Sequence, residues 1–205
     1  MDDSGRPRLI EAFLWGAFAS SSLLLGGVLA LRLHLHERVI GLVMAFGAGV
    51  LISAVAFELF LDAADAVEDN AWIAVGLFTG ALTFFVGDEV IDRMGGEGRK
   101  SMVGAQAGGT ALAIVLGIVL DGIPESFVVG MDLLTGEGIG VAFIAAVFLS
   151  NLPESAAASS GLKKAGWREV RIYELWAVVT IVAGVAAALG YKLLGDASGN
   201  TIAVV

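Results

Sequence analysis

The sequence contains no cysteine, only three prolines and few charged residues, since 16% of its 205 residues are Asp, Glu, Lys or Arg. Without cysteine the chain has no disulfides, thiolate metal ligands or thiol nucleophiles. Its 12 Lys and Arg against 21 Asp and Glu give a net charge of −9, so it offers no basic surface and we expect no nucleic-acid partner. Hydrophobic residues make up 57% of the chain and the mean hydropathy is +0.85, which predicts an integral membrane protein.

Six hydrophobic segments recur along the chain, and each is long enough to cross about 30 Å of hydrocarbon as an α-helix. They are residues 11–31, 39–61, 71–91, 108–134, 138–162 and 172–194. Membrane β-strands would be about half as long and would alternate in polarity. The pattern therefore predicts an all-α integral membrane protein, a polytopic helix bundle forming one transmembrane domain over residues 1–205.

The lysines and arginines are distributed unevenly between the connections. Those after spans one, three and five hold Arg32, Arg38, Arg93, Arg99, Lys100, Lys163, Lys164, Arg168 and Arg171, whereas the other side holds Arg6, Arg8 and Lys192. Positive charge favours the cytoplasmic side, so we expect the N-terminus outside. The outer side is acidic, which would concentrate cations at its surface, although solubility alone explains the same charges.

A short repeat occurs inside spans four and five. Residues 121–126 read Asp-Gly-Ile-Pro-Glu-Ser, and residues 150–155 read Ser-Asn-Leu-Pro-Glu-Ser. Consecutive spans run antiparallel, and such an inverted pair near the midplane is how transporters place a substrate site. Each proline lacks a backbone N–H, so the carbonyls of Leu120 and Leu149 should be freed and both helices should kink.

Oxygen donors accompany both prolines. Asp121 and Glu125 share one helical face of span four, while Ser150, Asn151 and Glu154 share a face of span five. Carboxylates inside a membrane are costly, and three that face one another require a cation or protons between them. The pattern predicts a divalent metal site between the two spans, with a proton-sharing cluster that only joins the helices as the alternative.

The two segments resemble the metal-binding motifs of the ZIP family (Zrt- and Irt-like proteins), and the GufA-like bacterial branch in particular. The fourth and fifth spans of that family carry His-Asn-x-Pro-Glu-Gly and a related x-Asn/Asp-x-Pro-Glu. Glu125 and Glu154 match the motif glutamates, and Asn151 matches the Asn/Asp position. The resemblance implies eight spans with an outside N-terminus, so that residues 201–205 would begin a seventh.

The sequence departs from the family pattern in a consistent direction. Asp121 stands where the family has histidine, Gly122 where it has asparagine, and Ala183 where many members carry a glutamate in span six. Losing imidazole while keeping oxygen donors favours harder ions such as Mn²⁺, Mg²⁺ or Ca²⁺, whereas Zn²⁺ is the ion that the family implies. The implied metal ligands are Asp121, Glu125, Asn151 and Glu154, with Ser150 as a fifth donor.

We therefore expect a multi-pass protein of the cell membrane, the cytoplasmic or inner membrane if bacterial, that moves a divalent cation toward the cytoplasm. Its partners would be the ion, the lipid bilayer and a second copy in a homodimer, and no resident cofactor is expected. No histidine lies in the spans, so nucleophilic enzyme sites that need one are excluded. The alternative is a non-transporting protein of the same fold that acts as a cation sensor or scaffold.

Other polar residues lie near the span ends. Glu58 and Asp62, one helical turn apart at the outer end of span two, either hand cations inward or cap the helix. Asp88, Glu89 and Asp92, at the inner end of span three, either form an exit relay or belong to ion pairs with Arg93 or Arg99. Hydroxyls of spans one and five are expected to hydrogen-bond between helices: Ser20, Ser21, Ser22, Ser155, Ser159 and Ser160.

Overall fold

A computed structural model describes residues 5–33, 36–66, 71–96, 111–134 and 140–195 of the chain. Every regular element within these ranges is a helix, which confirms the all-α fold class. The residues expected to begin a seventh span, 201–205, lie outside the described ranges, as do Arg99 and Lys100.

Eight α-helices and two π-helical turns make up the described chain. The α-helices are α1 (Gly5–Ser20), α2 (Ser22–Arg32), α3 (Glu37–Ala54), α4 (Phe60–Ala66), α5 (Ala71–Ile91), α6 (Ala111–Asp132), α7 (Val141–Lys164) and α8 (Glu169–Leu194), and the π-helical turns are Val55–Leu59 and Asp92–Gly96. Five segments are long and apolar enough to cross a membrane: Arg8–Arg32, Arg38–Asp65, Ala71–Met94, Val141–Lys164 and Glu169–Leu194. The 22-residue α6 covers the fourth predicted span, so each predicted span has a helical counterpart.

Span one is divided at Ser21, which separates α1 from α2. The Ser21 hydroxyl donates to the Phe18 carbonyl at 2.6 Å, and the Ser22 hydroxyl donates to the Ala19 carbonyl at 3.0 Å. Hydroxyls that bond back to the preceding turn compete with the helical ladder and bend it. These bonds of Ser21 and Ser22 stay within span one, so they do not join it to another span as we expected.

The helices pack as two groups that meet along span one. In the α8 group, α1 and α6 pack mainly on α8, whereas in the α7 group, α2 and α3 pack mainly on α7. Direct contact between α6 and α7, which carry the two Pro-Glu segments, is much less extensive. The two copies of the repeat therefore belong to different groups.

Glycines allow the closest approaches within the α8 group. A β-carbon on Gly130 of α6 would clash with the Ala187 carbonyl oxygen of α8, and one on Gly190 of α8 would clash with the Phe127 carbonyl oxygen of α6. Small residues let helix backbones approach where no hydrophobic effect drives association. These contacts hold α6 on α8 beyond the Pro124 segment.

Two apolar cores connect the helices. One includes Leu23 of α2, Leu162 of α7 and Trp176 of α8, and the other includes Val129 of α6 and Val147 of α7. By contrast, most of α5 is exposed. Such an apolar, uncovered helix is compatible with contact to lipid.

Candidate metal centre

The Pro-Glu segment of α7 lies deep in the bundle. Pro153 is buried inside a continuous helix, and Asn151 is only 5% exposed. Proline cannot donate to the carbonyl four residues earlier, which is that of Leu149. A β-carbon on Gly47 of α3 would lie 3.2 Å from this carbonyl oxygen and 3.0 Å from the Ser150 α-carbon. The α3 backbone thus lies close beside the carbonyl that proline leaves without its helical donor.

A glycine of α2 approaches the same segment from another side. A β-carbon on Gly26 would clash with both the Leu152 carbonyl oxygen and the Ser155 hydroxyl oxygen. Ser155 is fully buried, and its hydroxyl donates to the Leu152 carbonyl of its own helix at 3.0 Å. The Pro153 segment is therefore held between α2 and α3 with little room for movement.

The Pro-Glu segment of α6 has a more open environment. Ile123 and Pro124 are exposed, and among the described residues no heavy atom lies within 4 Å of a β-carbon placed on Gly122. The hydroxyl of the buried Ser126 donates to the Gly122 carbonyl at 2.7 Å, within its own helix. Asp121 and Glu125 are half-buried.

A small cavity of about 20 Å³ lies where spans one, four, five and six meet, between the two helix groups. Its lining residues are Ser20, Leu23, Val119, Gly122, Ile123, Asn151, Glu154, Val179, Val182 and Ala183. A volume of roughly 10–15 Å³ on this measure accommodates one water molecule. The cavity therefore has space for a single water-sized occupant.

Three lining residues carry side-chain oxygens, namely Ser20, Asn151 and Glu154. The Ser20 carbonyl also accepts a hydrogen bond from the Thr180 hydroxyl of α8 at 3.3 Å. A carboxylate, an amide oxygen and a hydroxyl form a donor set suited to hard cations. Ala183 lines the same cavity, so a glutamate at this position would place a second carboxylate in the cavity with Glu154.

The structure does not gather all the predicted ligands at this cavity. Asn151 and Glu154 line it, whereas Asp121, Glu125 and Ser150 do not. The Ser150 hydroxyl donates to the Val147 carbonyl at 3.0 Å. Within the described chain, no group of three or more Asp, Glu or His side chains has an arrangement that could hold a metal ion. The five-residue ligand set stays a prediction.

Two carboxylates lie close together at the end of the bundle that is predicted to be outside. The Gly140 amide donates to the Asp132 carboxylate, and the Glu58 carboxylate occupies the space where a Gly140 β-carbon would stand. Glu58 lies in the π-helical turn of span two, a local geometry frequent at functional sites. Sequence reasoning singled out Glu58 but not its proximity to Asp132, because the two residues are far apart in the chain.

The acidic end of span three contains a local ion pair. Arg93 Nε lies 2.9 Å from Glu89 Oε1, one helical turn away, and both side chains are largely exposed. Exposed pairs of this kind contribute little to stability. This pair confirms, for Glu89, the interpretation that the acidic residues at this end of span three pair with Arg93.

Interhelical hydrogen bonding by serine is confirmed at Ser159. The buried Trp176 Nε1 of α8 donates to its hydroxyl oxygen at 2.8 Å. The Ser160 hydroxyl instead donates to the Ala156 carbonyl within α7 at 2.9 Å. Neighbouring serines thus differ because only one of them points toward α8.

Comparison with known proteins gives one distant similarity. The chain is 26% identical over 176 residues to an Arabidopsis thaliana protein named "Putative zinc transporter", covering 84% of this chain but 28% of that protein. The chain thus spans less than a third of the length of this relative. No protein-family model matches the sequence, and no solved structure matches the chain. The comparisons therefore indicate a distant similarity to part of a protein named as a putative zinc transporter.

Proposed function

We propose that the protein transports a divalent metal cation toward the cytoplasm through a carboxylate-lined site between spans four and five. The observation that carries the proposal is the cavity where Asn151 and Glu154 meet the wall formed by α6, including Gly122. The distant similarity to a protein named as a zinc transporter supports metal as the cargo. The apolar helices support a membrane location, and we assign the protein to the cell membrane.

The proposed ligands are divided between the two helix groups. Asn151, Glu154 and Ser150 belong to α7, whereas Asp121 and Glu125 belong to α6, which packs mainly on α8. Because α6 and α7 have little direct contact, α6 can move relative to α7 without separating an extensive interface between these two helices. Such rocking would bring the carboxylates together around an ion and then open the site to the other side.

The side-chain donors of the proposed site favour one of two candidate ions, Mn²⁺ and Zn²⁺. Asp121 and Ala183 stand at positions where the ZIP resemblance implies His and Glu, so the proposed site is built from oxygen donors. Oxygen donors alone favour Mn²⁺ over Zn²⁺ in relative terms, although carboxylates also bind zinc. The lysine and arginine distribution predicts that the acidic end faces outside, where it would concentrate cations for movement toward the cytoplasm.

The decisive experiment measures metal uptake into vesicles that contain the full-length protein. Zn²⁺ and Mn²⁺ fluxes should fall to the level of empty vesicles in the double variant Glu125→Ala, Glu154→Ala. The matched control Glu11→Ala, Glu174→Ala removes two exposed carboxylates away from the cavity and should retain the flux. Equal flux for wild type and the site variant would refute the assignment of these residues.

The second candidate function is cation sensing without transport. Within the described residues no three acidic or histidine side chains are arranged to hold a metal ion, so the observed arrangement is also compatible with a protein that binds a cation without moving it. This alternative predicts metal binding by calorimetry that depends on Glu154, with no vesicle flux for any ion. Measurable flux would exclude it.

A further inference from the structure

The ends of α2, α7 and α8 that are predicted to be cytoplasmic form a compact basic surface. Its cations are Arg32, Lys163, Lys164, Arg168 and Arg171, and all five are exposed. Because α2 packs on both α7 and α8, these charges from three helices lie at one end of the bundle. We call this set the basic surface.

The turn that connects α7 to α8 is closed by two backbone hydrogen bonds. The Trp167 amide donates to the Leu162 carbonyl and the Gly166 amide to the Lys163 carbonyl, both at 3.0 Å, and Gly166 has φ of +87°. These paired bonds around a glycine with positive φ form a Schellman motif, in which Trp167 should contact Leu162. Both residues pack in the same apolar core, so the turn presents its cations in a defined arrangement.

Charge within the basic surface is only partly neutralised. Lys163 Nζ pairs with Glu169 Oε1 at 2.9 Å, and the Arg32 guanidinium lies within electrostatic reach of Glu169 and of the Tyr173 hydroxyl. Glu169 therefore interacts with the positive charges of both Lys163 and Arg32. Lys164, Arg168 and Arg171 add further positive charge around this centre.

The Tyr173 hydroxyl lies beneath the basic surface next to Arg32. It is shielded from solvent, and the Arg32 guanidinium is its polar neighbour. A guanidinium only donates hydrogen bonds, so the Tyr173 O–H could donate to an anionic oxygen held by Arg32. Trp167, half-buried in the turn between α7 and α8, is suited to the depth of lipid headgroups.

We infer that the basic surface binds the phosphate of an anionic phospholipid headgroup in the cytoplasmic leaflet. Arg32 and the α7–α8 turn would contact the phosphate, the Tyr173 hydroxyl would donate to one of its oxygens, and the acyl chains would lie along the apolar helices. The charge pattern places this surface at the leaflet whose anionic lipids attract basic residues at helix ends. The inference is independent of metal transport.

The test is native mass spectrometry of the detergent-solubilised full-length protein titrated with phosphatidylglycerol. Each cation near a membrane surface strengthens anionic-lipid binding about fivefold, so Arg32→Gln combined with Arg171→Gln should weaken binding by roughly 25-fold. The matched control Arg38→Gln, Arg93→Gln removes two exposed cations from the same predicted side that lie outside the basic surface, and it should weaken binding much less. Equal losses in the two double variants would overturn the proposal.

Two further measurements separate the site from general charge attraction. Glu169→Gln removes the competing carboxylate and should strengthen phosphatidylglycerol binding about fivefold, a gain that an unfolded variant would not show. Phosphatidylcholine should bind more weakly, and inorganic phosphate should not displace the lipid at equal concentration. Equal affinity for phosphatidylcholine, or efficient displacement by inorganic phosphate, would contradict a site for anionic lipid.

Discussion

The two Pro-Glu segments have nearly the same sequence but different surroundings. In α7, Pro153 is buried, and backbones of α2 and α3 approach it at Gly26 and Gly47. In α6, Pro124 is exposed, and a β-carbon on Gly122 would have no described neighbour within 4 Å. One segment is confined by its neighbours, whereas the other is held mainly by contacts farther along its helix.

This difference shows that a sequence repeat does not create equivalent sites. Glu154 lines the cavity, and Glu125, its counterpart in the repeat, does not. The helices around each segment decide what its side chains meet. In the proposed transporter, the confined segment would provide a fixed half of the metal site and the open segment a mobile half.

The largest change in stability is expected at Gly26, where α2 approaches the Pro153 segment of α7 most closely. Gly26→Ala should lower the free energy of unfolding by about 3 kcal/mol, because the new methyl group must push apart α2 and the Leu152 backbone. Thermal unfolding in detergent would measure it. Gly49→Ala, at a position with no described neighbour within 4 Å, is the control, and equal melting temperatures for the two variants would contradict the close approach.

The next effect concerns metal binding by the two repeat glutamates. Glu154→Gln should weaken divalent-cation binding more than tenfold, or about 1.4 kcal/mol, since Glu154 lines the cavity directly. Glu125→Gln should weaken it less, because Glu125 would join the site only when the groups approach. Calorimetric titration with Mn²⁺ and Zn²⁺ provides the comparison. A greater loss from Glu125→Gln would reverse the assigned roles of the two segments.

A smaller effect is expected where α7 is joined to α8. Ser159→Ala removes the acceptor of the buried Trp176 indole and should cost about 1 kcal/mol of stability. Ser160→Ala removes a bond within α7 only and serves as the control. Unfolding and tryptophan emission would report the change, and indistinguishable results for the two variants would argue against this interhelical bond.

The smallest change in stability is expected in the Pro124 segment of α6, which has the more open surroundings. Gly122→Ala should raise stability by about 0.5 kcal/mol, because alanine favours a helix over glycine and the structure leaves space for its methyl group. Detergent unfolding would again measure it. A loss as large as that of Gly26→Ala would mean that α6 is as confined as α7.

Much of the architecture could be predicted because hydrophobic length is a local property. The predicted span 172–194 corresponds to α8, Glu169–Leu194, and the predicted span 39–61 corresponds to α3, a π-helical turn and α4. The break at Ser21 and the π-helical turn around Glu58 were not predicted. These irregularities depend on how individual side chains form hydrogen bonds and pack. The hydropathy of a segment contains no information about either.

The sequence by itself determined that apolar helices long enough to cross a membrane form this chain, and that a carboxylate accompanies each proline in spans four and five. Burial in hydrocarbon requires the backbone to satisfy its own hydrogen bonds, so long apolar runs become helices. Only the tertiary structure decided that α6 and α7 join different groups, and that Asn151 and Glu154 share a cavity with Gly122 and Ala183. Those pairings depend on which small residues let backbones approach, a property of complementary surfaces far apart in the chain.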